Sequence, residues 1–232
     1  MNITHKTILI TGASDGIGKS IAVRLAREHV RLVLIGRNKA RLEAVQQFCE
    51  AEGAQVIAHT VDITDTTQRE AALQEILKAQ QIDVLINNAG IWHNSTDLGD
   101  LPEATIESVI ATNLTAQILM TRAFIASMRS RETAVLNIIS SAGLQGKAGR
   151  TAYAASKFGM RGFTEALREE TKSDPIRIGA VFQSGTHTQM FAKAGEVMPL
   201  EKYTEPDDLA EVIAFMLTRP AKIWLNEVQV VY

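Results

Sequence analysis

The run Thr7-Ile8-Leu9-Ile10-Thr11-Gly12-Ala13-Ser14-Asp15-Gly16-Ile17-Gly18 decides the fold of this chain. Its first five residues are apolar or β-branched, as in a buried strand, whereas Ile17, Ile21 and Leu25 recur every four positions, as in a helix. The glycines between allow a tight turn and let backbone N–H groups approach a phosphate, which the positive end of the next helix also attracts. The residues predicted to surround this phosphate are Gly12, Ser14, Asp15, Gly16, Ile17 and Gly18.

Strand-like and helix-like segments alternate along the rest of the chain. Seven strands are predicted, at Thr7–Thr11, Arg31–Ile35, Gln55–Val61, Asp83–Asn87, Ala134–Ser140, Arg177–Phe182 and Glu227–Val231. Helical periodicity fills the intervals, including Glu103–Arg129, Tyr153–Lys172 and a last helix that Pro206 opens. This alternation predicts an α/β fold: one domain, residues 1–232, with a doubly wound parallel sheet of about seven strands and helices on both faces.

Three irregular segments, Ile91–Leu101, Ala142–Arg150 and Gln183–Thr204, each follow a predicted strand. They should therefore lie at the carboxyl edge of the sheet, where open α/β folds bind their ligands. Segment 183–204 is long for a connection, which is typical of lids and of loops that bind substrate. A plain surface excursion would also account for its length.

Composition argues against several classes of function. The chain has 232 residues, 46% hydrophobic and 22% charged, and its net charge of -2 gives no reason to expect nucleic acid or an anionic membrane as a partner. No apolar run reaches the length of a membrane span, and no signal-peptide pattern precedes the first strand. The one cysteine, Cys49, lies in an apolar helical stripe and is interpreted as a buried hydrophobe, so we expect a reducing, cytoplasmic compartment. No cluster of histidine, cysteine and carboxylate has metal-ligand spacing, so we predict no metal.

The candidate catalytic residues centre on Tyr153 and Lys157, which stand four positions apart in a predicted helix. This spacing places the phenol and the ammonium on one helix face, where the positive charge favours the phenolate and lowers the tyrosine pKa. A tyrosine tuned in this way can donate or accept a proton at a reacting oxygen. Pairs at this spacing are more often solvated helix faces, so the assignment depends on the rest of the chain.

The residues after the second strand, Gly36-Arg37-Asn38, bear on the choice of cofactor. Enzymes that prefer NAD usually carry an acidic residue here to hold the ribose 2′-hydroxyl, whereas a guanidinium suits the 2′-phosphate of NADP. Arg37 therefore favours NADP(H) over NAD(H). A solvated arginine at a strand end is the alternative, and Asp15 in the glycine turn would oppose a phosphate placed near it.

Taken together, these motifs resemble the short-chain dehydrogenase/reductase family over nearly the whole chain. The resemblance includes the glycine turn, Asp62 after the third strand and Asn87-Asn88-Ala89-Gly90 after the fourth. Ser140 and Asn113 stand thirteen and forty residues before Tyr153, which are the family spacings. The family implies a three-layer Rossmann fold and an enzyme that transfers hydride between a nicotinamide cofactor and a carbonyl or secondary alcohol of a small molecule.

The resemblance also implies roles for single residues. Tyr153 would be the acid/base, and Lys157 would lower its pKa and bind the nicotinamide ribose. Ser140 would stabilise the substrate oxygen, although Ser141 competes for this role, and Asn113 would anchor a water relay from Lys157 to solvent. The residues implied to contact the cofactor are those of the glycine turn with Arg37, Asp62, Ile63, Asn88, Ala89, Gly90, Tyr153, Lys157 and Thr188.

Two departures from the family pattern concern the nicotinamide end of the site and the C-terminus. Gln183-Ser184 replaces the usual Pro-Gly after the sixth strand, although Thr188 keeps its place near the carboxamide. A side chain at position 184 is expected to shift the nicotinamide ring or narrow the pocket. This change bears on the affinity for the cofactor more than on the class of reaction. The ending Trp224-Leu225-Asn226-Glu227-Val228-Gln229-Val230-Val231-Tyr232 resembles the NADP-linked branch of the family.

The substrate pocket and the partners are expectations from family position. The pocket is expected to be lined by Trp92, His93, Leu144, Gln183 and His187, with Ile91, Gln145, Arg150, Met190 and Phe191 beside them. Analogy also predicts a homodimer or homotetramer through the helices at Glu103–Arg129 and Tyr153–Lys172.

Two alternative functions stay open. One is an enzyme resembling the 3-oxoacyl-[acyl-carrier-protein] reductases, for which Arg129 and Arg131 would attract the carrier protein. The other is a regulator that senses NADP(H) without turnover, an idea that rests on the Gln183-Ser184 departure.

Overall fold

One parallel sheet of seven strands forms the centre of the computed structural model, which describes residues 1–220 and 222–231. The strands are β1 (Thr7–Thr11), β2 (Arg31–Gly36), β3 (Gln55–Thr60), β4 (Val84–Asn87), β5 (Thr133–Ile138), β6 (Ile176–Gln183) and β7 (Glu227–Val230). Their order across the sheet is β3-β2-β1-β4-β5-β6-β7. The predicted seven-stranded parallel sheet is confirmed; Tyr232, the last residue of the ending noted above, lies outside the described residues.

Helices cover both faces of this sheet, which makes the predicted three-layer, Rossmann-like arrangement. They are α1 (Gly16–Ala26), α2 (Lys39–Ala51), α3 (Thr66–Ala79), α4 (Glu103–Ile110), α5 (Ala116–Met128), α6 (Thr151–Glu170), α7 (Met190–Lys193) and α8 (Pro206–Thr218). Helices α1, α2 and α8 pack on one face, whereas α3, α5 and α6 pack on the other. Ile8 and Ile10 of β1 belong to the first core and Leu9 to the second, as the alternation of a strand requires.

The strand order reverses at β1, and this determines where a ligand can bind. Leu9 of β1 pairs with Val33 of β2 on one side and with Leu85 of β4 on the other. The connections that follow β1 and β4 therefore leave the sheet in opposite directions and open a crevice at its carboxyl edge. The glycine turn follows β1 directly into this crevice.

Cys49 lies on the buried side of α2 and has no accessible surface. Burial raises the pKa of its thiol to about 12, so the thiolate is absent at neutral pH. The interpretation of Cys49 as a buried hydrophobe, rather than a catalytic thiol, is confirmed.

The helical stretch Glu103–Met128 corrects one expectation from composition. It spans 26 residues, and its most apolar 18-residue window has a mean hydropathy of 1.3, which is long and apolar enough to cross a membrane by length and composition. However, 44% of its most apolar window is buried in the fold, where Met120 and Phe124 pack in the second core and Asn113 and Gln117 make hydrogen bonds. A core helix passes the same test, so the stretch is weak evidence for a membrane span.

Candidate active site

A cavity of about 900 Å³ opens at the carboxyl edge of the sheet, over the reversal at β1. From the predicted cofactor residues, it is lined by Gly12, Ser14, Asp15, Gly16, Ile17, Arg37, Asp62, Ile63, Asn88, Ala89, Gly90, Tyr153, Lys157 and Thr188. Ser140 lines it as well, whereas Gly18 and Asn113 are not among the lining residues. The structure thus brings the glycine turn and three of the four predicted catalytic residues to one cavity.

Close packing explains the glycines of the turn. A Cβ on Gly18 would lie 2.3 Å from the carbonyl oxygen of Gly12, and one on Gly12 would lie 2.8 Å from the Cα of Ala89. Gly12 also has a φ of +67°, a left-handed conformation that side chains disfavour. The Asn88 amide donates to the carbonyls of Thr11 and Gly12 at 2.9 and 3.2 Å. Gly18 therefore allows the helix to pack closely against the turn without lining the cavity, and Asn88 fixes the turn against the end of β4.

Asp15 is the centre of an ionic cluster on this turn. Its carboxylate accepts from the N–H of Gly16 at 2.7 Å and pairs with Arg41 at 2.8 Å and Lys193 at 2.6 Å. Burial acts to raise the pKa of Asp15, but the hydrogen bonds from Lys193 and Gly16 and the nearby charges outweigh it and hold that pKa below its usual value. Asp15 is thus already paired with two cations, which reduces the repulsion that it would exert on a phosphate.

Two arginines line the cavity beyond β2. Arg37, the predicted one, has a side chain that is 64% exposed and lies 3.7 Å from Asp62. Arg41, in the first turn of α2, is a residue that sequence reasoning missed. The predicted N-cap at Asn38 could have identified Arg41, because it places the first turn of α2 next to the end of β2. The Asn38 side chain accepts from the N–H of Arg41 at 3.0 Å. Two guanidinium groups at one end of a cavity suit a phosphate ester.

Asn113 lies on a π-turn, Ala111–Thr115, that interrupts the long helix predicted at 103–129. Such turns are often found at functional sites. The Asn113 side chain accepts from the N–H of Ile91 at 2.7 Å and donates to the carbonyl of Ile91 at 2.9 Å and to Ser156 Oγ at 3.2 Å. Asn113 therefore ties the loop after β4 to α6. The water relay implied for it stays a prediction.

Ser140, Tyr153 and Lys157 meet at the inner end of the cavity. Tyr153 is only 5% exposed, and the Ser140 side chain beside its phenol acts to lower the pKa of Tyr153. Lys157 Nζ lies 5.6 Å from the centre of the Tyr153 ring and donates to the carbonyl of Ile138 at 3.3 Å. Ser141 also lines the cavity, but Ser140 is the serine that acts on the pKa of Tyr153, which favours Ser140 for the serine role.

Burial, rather than Lys157, determines the pKa of Tyr153. Desolvation raises the pKa of Tyr153 to about 12, against the hydrogen bond with Ser140 and the charge of Arg150, which act to lower it. Burial likewise lowers the pKa of Lys157 to about 8. The predicted direction of the Tyr153 pKa is therefore wrong for this structure, because the cost of burying a phenolate dominates, while the effect of Lys157 on a phenolate once it forms stays a prediction. Tyr153 keeps its proton at neutral pH and can donate it.

Aromatic rings form the substrate side of the cavity. Trp92 meets Tyr153 edge-on with 4.6 Å between ring centres, and meets Phe191 in the same way at 5.4 Å. His93 stacks on Trp92 at 5.7 Å. Its Nε2 accepts from the N–H of Tyr153 at 3.4 Å, which leaves Nδ1–H to donate to the carbonyl of Asn94 at 2.9 Å. Both ring nitrogens of His93 are thus bonded to backbone.

The structure corrects the predicted substrate pocket at three positions. Trp92 and Gln183 line the cavity, but His93, Leu144 and His187 do not. Leu144 packs against a separate apolar cluster, and His187 is exposed with its Nδ1 2.8 Å from a glutamate. Side-chain direction in an irregular loop depends on contacts with distant segments, and residue order alone does not show it.

Segment 183–204 folds over the cavity as a lid. Glu196 accepts hydrogen bonds from the indole N–H of Trp92 and from Ser95 Oγ, the latter at 3.1 Å. Lys193, in α7 of the same segment, reaches Asp15 on the glycine turn. These contacts join residues that are 101 to 178 positions apart in the chain. No local sequence pattern could have identified Glu196, Ser95 or Lys193.

The Gln183-Ser184 departure introduces polar atoms at the start of the lid. Side-chain oxygens of Gln183, Ser184 and Thr186 are buried and, within the described chain, have no hydrogen-bond partner. All three residues line the cavity beside Thr188. Buried polar atoms in proteins are normally paired, so this end of the cavity suits a polar group of a ligand.

Comparisons with known proteins agree with this geometry. A family model described as short chain dehydrogenase matches residues 6–198. The 3-oxoacyl-[acyl-carrier-protein] reductase of Synechocystis sp. is 31% identical over 97% of this chain and 94% of the relative. The NADP-dependent 3-hydroxy acid dehydrogenase of Schizosaccharomyces pombe is 34% identical over 92% of this chain and 87% of the relative.

A solved structure extends the likeness to three dimensions. The short-chain dehydrogenase from Sphingobium yanoikuyae, solved in complex with NADPH, is 30% identical and superposes with a TM-score of 0.87. The superposition covers 97% of this chain and 87% of that one. Because the family model matches most of the sequence, the chain belongs to the short-chain dehydrogenase family.

Proposed function

We propose that this protein is an NADP(H)-dependent oxidoreductase that reduces a carbonyl group of a small molecule or oxidises the corresponding secondary alcohol. Family membership makes it an oxidoreductase that binds a nicotinamide cofactor. The observation that carries the proposal is that Ser140, Tyr153 and Lys157 meet at the inner end of the cavity that begins at the glycine turn.

The residues present fit a dinucleotide at both ends of the cavity. A Cβ on Gly12 would lie 2.8 Å from the Cα of Ala89, just after β4, and one on Gly16 would lie 3.1 Å from Thr188, so only glycines leave this cradle open. The N-terminus of α1 faces it with its positive dipole end. At the other end, the unpartnered oxygens of Gln183 and Ser184 suit a carboxamide. These residues would hold the pyrophosphate and the nicotinamide.

The chain's own residues manage the substrate oxygen and its proton. When bound, the cofactor supplies or accepts the hydride. In reduction, the Ser140 hydroxyl donates a hydrogen bond to the carbonyl oxygen, and Tyr153 gives its proton to the same oxygen. Lys157 stabilises the phenolate that remains. In oxidation of an alcohol the proton moves back to Tyr153.

The charges near β2 favour NADP(H) over NAD(H). Arg37 and Arg41 line the cavity there, and the acids beside them, Asp62 and Asp15, are each paired with a cation. Lys193 also pairs with Asp15, so three cations face these two acids and a ribose 2′-phosphate would meet a net positive charge that includes two guanidinium groups. The NADPH complex of the Sphingobium relative supports the same choice.

We also propose that the protein is a cytoplasmic homodimer or homotetramer. Cys49 is a buried thiol without a disulfide partner, which agrees with a reducing compartment. Phe158 on the helix predicted to form the interface is 42% exposed, as expected of an apolar side chain that a second copy would cover. Sedimentation that shows only monomer at micromolar concentration would exclude the assembly.

The alternative of an acyl-carrier-protein reductase draws on the Synechocystis relative. The two arginines that suggested a carrier site are engaged within the fold, since Arg129 pairs with Asp174 and Glu170 and Arg131 pairs with Asp83. They therefore offer little free charge for a carrier. The first substrates to test are therefore small carbonyl compounds that are not attached to a carrier protein.

The deciding experiment is a titration with NADPH and NADH by nicotinamide fluorescence, followed by a panel of ketones, aldehydes, 3-oxo acids and 3-oxo esters. Oxidation of NADPH by a member of the panel supports the proposed reductase. Tight binding with no oxidation across the panel favours the regulator that senses NADP(H). Failure to bind either nucleotide defeats both.

A further inference from the structure

Arg150 is a cation in the active-site cavity that the reaction described above does not use. It stands three residues before Tyr153, and its carbonyl accepts from the N–H of Ala154 at 2.8 Å, so the start of α6 fixes its backbone. Its guanidinium carbon lies 5.1 Å from the centre of the Trp92 ring. This cation–π contact holds the group against the wall of the cavity that it lines.

No carboxylate within the described ranges, 1–220 and 222–231, forms an ion pair with Arg150. The other arginines of the cavity differ, because Arg37 and Arg41 each have an aspartate. The acid on the lid, Glu196, is bonded to Trp92 and Ser95 instead. A half-buried guanidinium with a fixed position and no acidic partner is set to receive an anion.

The distances limit how far this anion can be from the reacting carbonyl. Trp92 contacts both groups: its ring centre is 5.1 Å from the guanidinium carbon and 4.6 Å from the centre of the Tyr153 ring. The guanidinium carbon and the centre of the Tyr153 ring are therefore no more than about 10 Å apart. A compact substrate whose carboxylate stands one carbon away from its carbonyl can reach both.

We propose that Arg150 binds the carboxylate of the substrate and that the protein acts on short 3-oxo acids and the corresponding 3-hydroxy acids, in preference to their esters and thioesters. This rests on the proposed function. In the reduction, hydride adds to the carbonyl carbon and the proton of Tyr153 adds to its oxygen, while the carboxylate stays unchanged on Arg150. The name of the Schizosaccharomyces pombe relative, an NADP-dependent 3-hydroxy acid dehydrogenase, agrees with this substrate class.

The test compares each acid with its own neutral ester, so that only the negative charge differs. The measured quantity is the ratio of kcat/KM for acetoacetate to that for methyl acetoacetate, with 3-oxopentanoate and its methyl ester as a longer pair. Arg150→Met should lower this ratio roughly 100-fold, the size expected when a buried charge pair loses one partner. Arg150→Lys should restore part of it, because a point charge lacks the bidentate geometry.

Lys147→Met is the matched control, since Lys147 also lines the cavity but is exposed. Its loss should change the acid-to-ester ratio less than about 3-fold because solvent screens an exposed charge. Titration with NADPH shows that each variant is folded. If Arg150→Met and Lys147→Met lower the ratio equally, or if the ratio stays unmoved by Arg150→Met, the role of Arg150 is overturned while the proposed function stands. If the unmodified protein oxidises NADPH with ketones or aldehydes but with neither these acids nor their esters, the proposed substrate class is overturned while the proposed function stands. If no carbonyl compound of the wider panel oxidises NADPH, the proposed function itself fails.

Discussion

The indole N–H of Trp92 donates a hydrogen bond to the carboxylate of Glu196, which follows it by 104 residues. Trp92 also meets the ring of Tyr153 edge-on at 4.6 Å. The lid and the proposed proton donor therefore contact the same side chain. The lid therefore fixes one wall around Tyr153, and polar interactions are stronger in a site that a lid shields from water.

Glu196→Ala should loosen the lid without unfolding the protein. It removes the hydrogen bonds from Trp92 and Ser95, and bonds to a charged acceptor are worth about 1.5–3 kcal/mol each, less where solvent reaches them. We expect KM for the substrate to rise roughly 10-fold and trypsin to cleave after Lys193 more rapidly. Glu201→Ala is the control, because Glu201 belongs to the same segment but is exposed. Equal effects of the two substitutions would show that Glu196 does not hold the lid.

Tyr153→Phe removes the proposed proton donor and leaves the ring packed against Trp92. Because general acid catalysis contributes about 10²–10⁴-fold, we expect kcat to fall by roughly 10³-fold. The affinity for NADPH should change little, and fluorescence titration measures it on the same sample. Ser140→Ala should cost roughly 10²-fold in kcat through loss of one hydrogen-bond donor at the substrate oxygen. Full turnover by Tyr153→Phe would refute the assignment.

Arg37→Ala and Arg41→Ala test the preference for NADP(H). Each removes a guanidinium that would contact the 2′-phosphate, so we expect Kd for NADPH to rise about 10-fold or more and Kd for NADH to stay nearly constant. Lys39→Ala is a matched control, since Lys39 begins the same helix but lies 3.9 Å from Glu43 and is largely exposed. If NADPH and NADH weaken together, the arginines stabilise the fold near β2 rather than select the cofactor.

The parts of the fold that could be predicted are those that local residue patterns encode. The run Thr7–Gly18 combines a strand, a turn that only glycines permit and a helix, and each follows from neighbouring residues. The π-turn at Ala111–Thr115 could not be predicted, because helical periodicity continues through it. It follows from the tertiary bonds of Asn113 to Ile91 and Ser156.

The same limit applies to the site. Tyr153 and Lys157 could be paired from their spacing, but the direction of the pKa of Tyr153 could not, because burial depends on side chains brought in from distant segments. Glu196 belongs to the site only because the lid folds back on Trp92. Residues whose role depends on a distant contact leave no signal in their own neighbourhood.

The buried ammonium of Lys157 destabilises the folded protein, and its proposed catalytic role accounts for its position. The side chain is 5% exposed, and burial lowers its pKa from 10.5 to about 8. The folded protein therefore holds this proton less tightly than the unfolded chain does. Below pH 8 both states are protonated and the folded state bears the full cost of a buried ammonium, of the order of 3 kcal/mol. As pH rises from about 8 to 10.5 the folded state is neutral while the unfolded chain still binds the proton, so this cost disappears.

Lys157→Met should therefore stabilise the protein in the absence of cofactor while abolishing turnover. Met fills a similar volume without a charge, so we expect the free energy of unfolding at pH 7 to increase by about 1–3 kcal/mol. Urea denaturation of both proteins measures this difference, which should shrink when the titration is repeated at pH 9.5, where the folded Lys157 is already neutral. Lys147→Met, an exposed lysine replaced in the same way, should show neither effect. A Lys157→Met protein that is less stable than the original at pH 7 would mean that the ammonium, through its bond to the carbonyl of Ile138, holds the fold together.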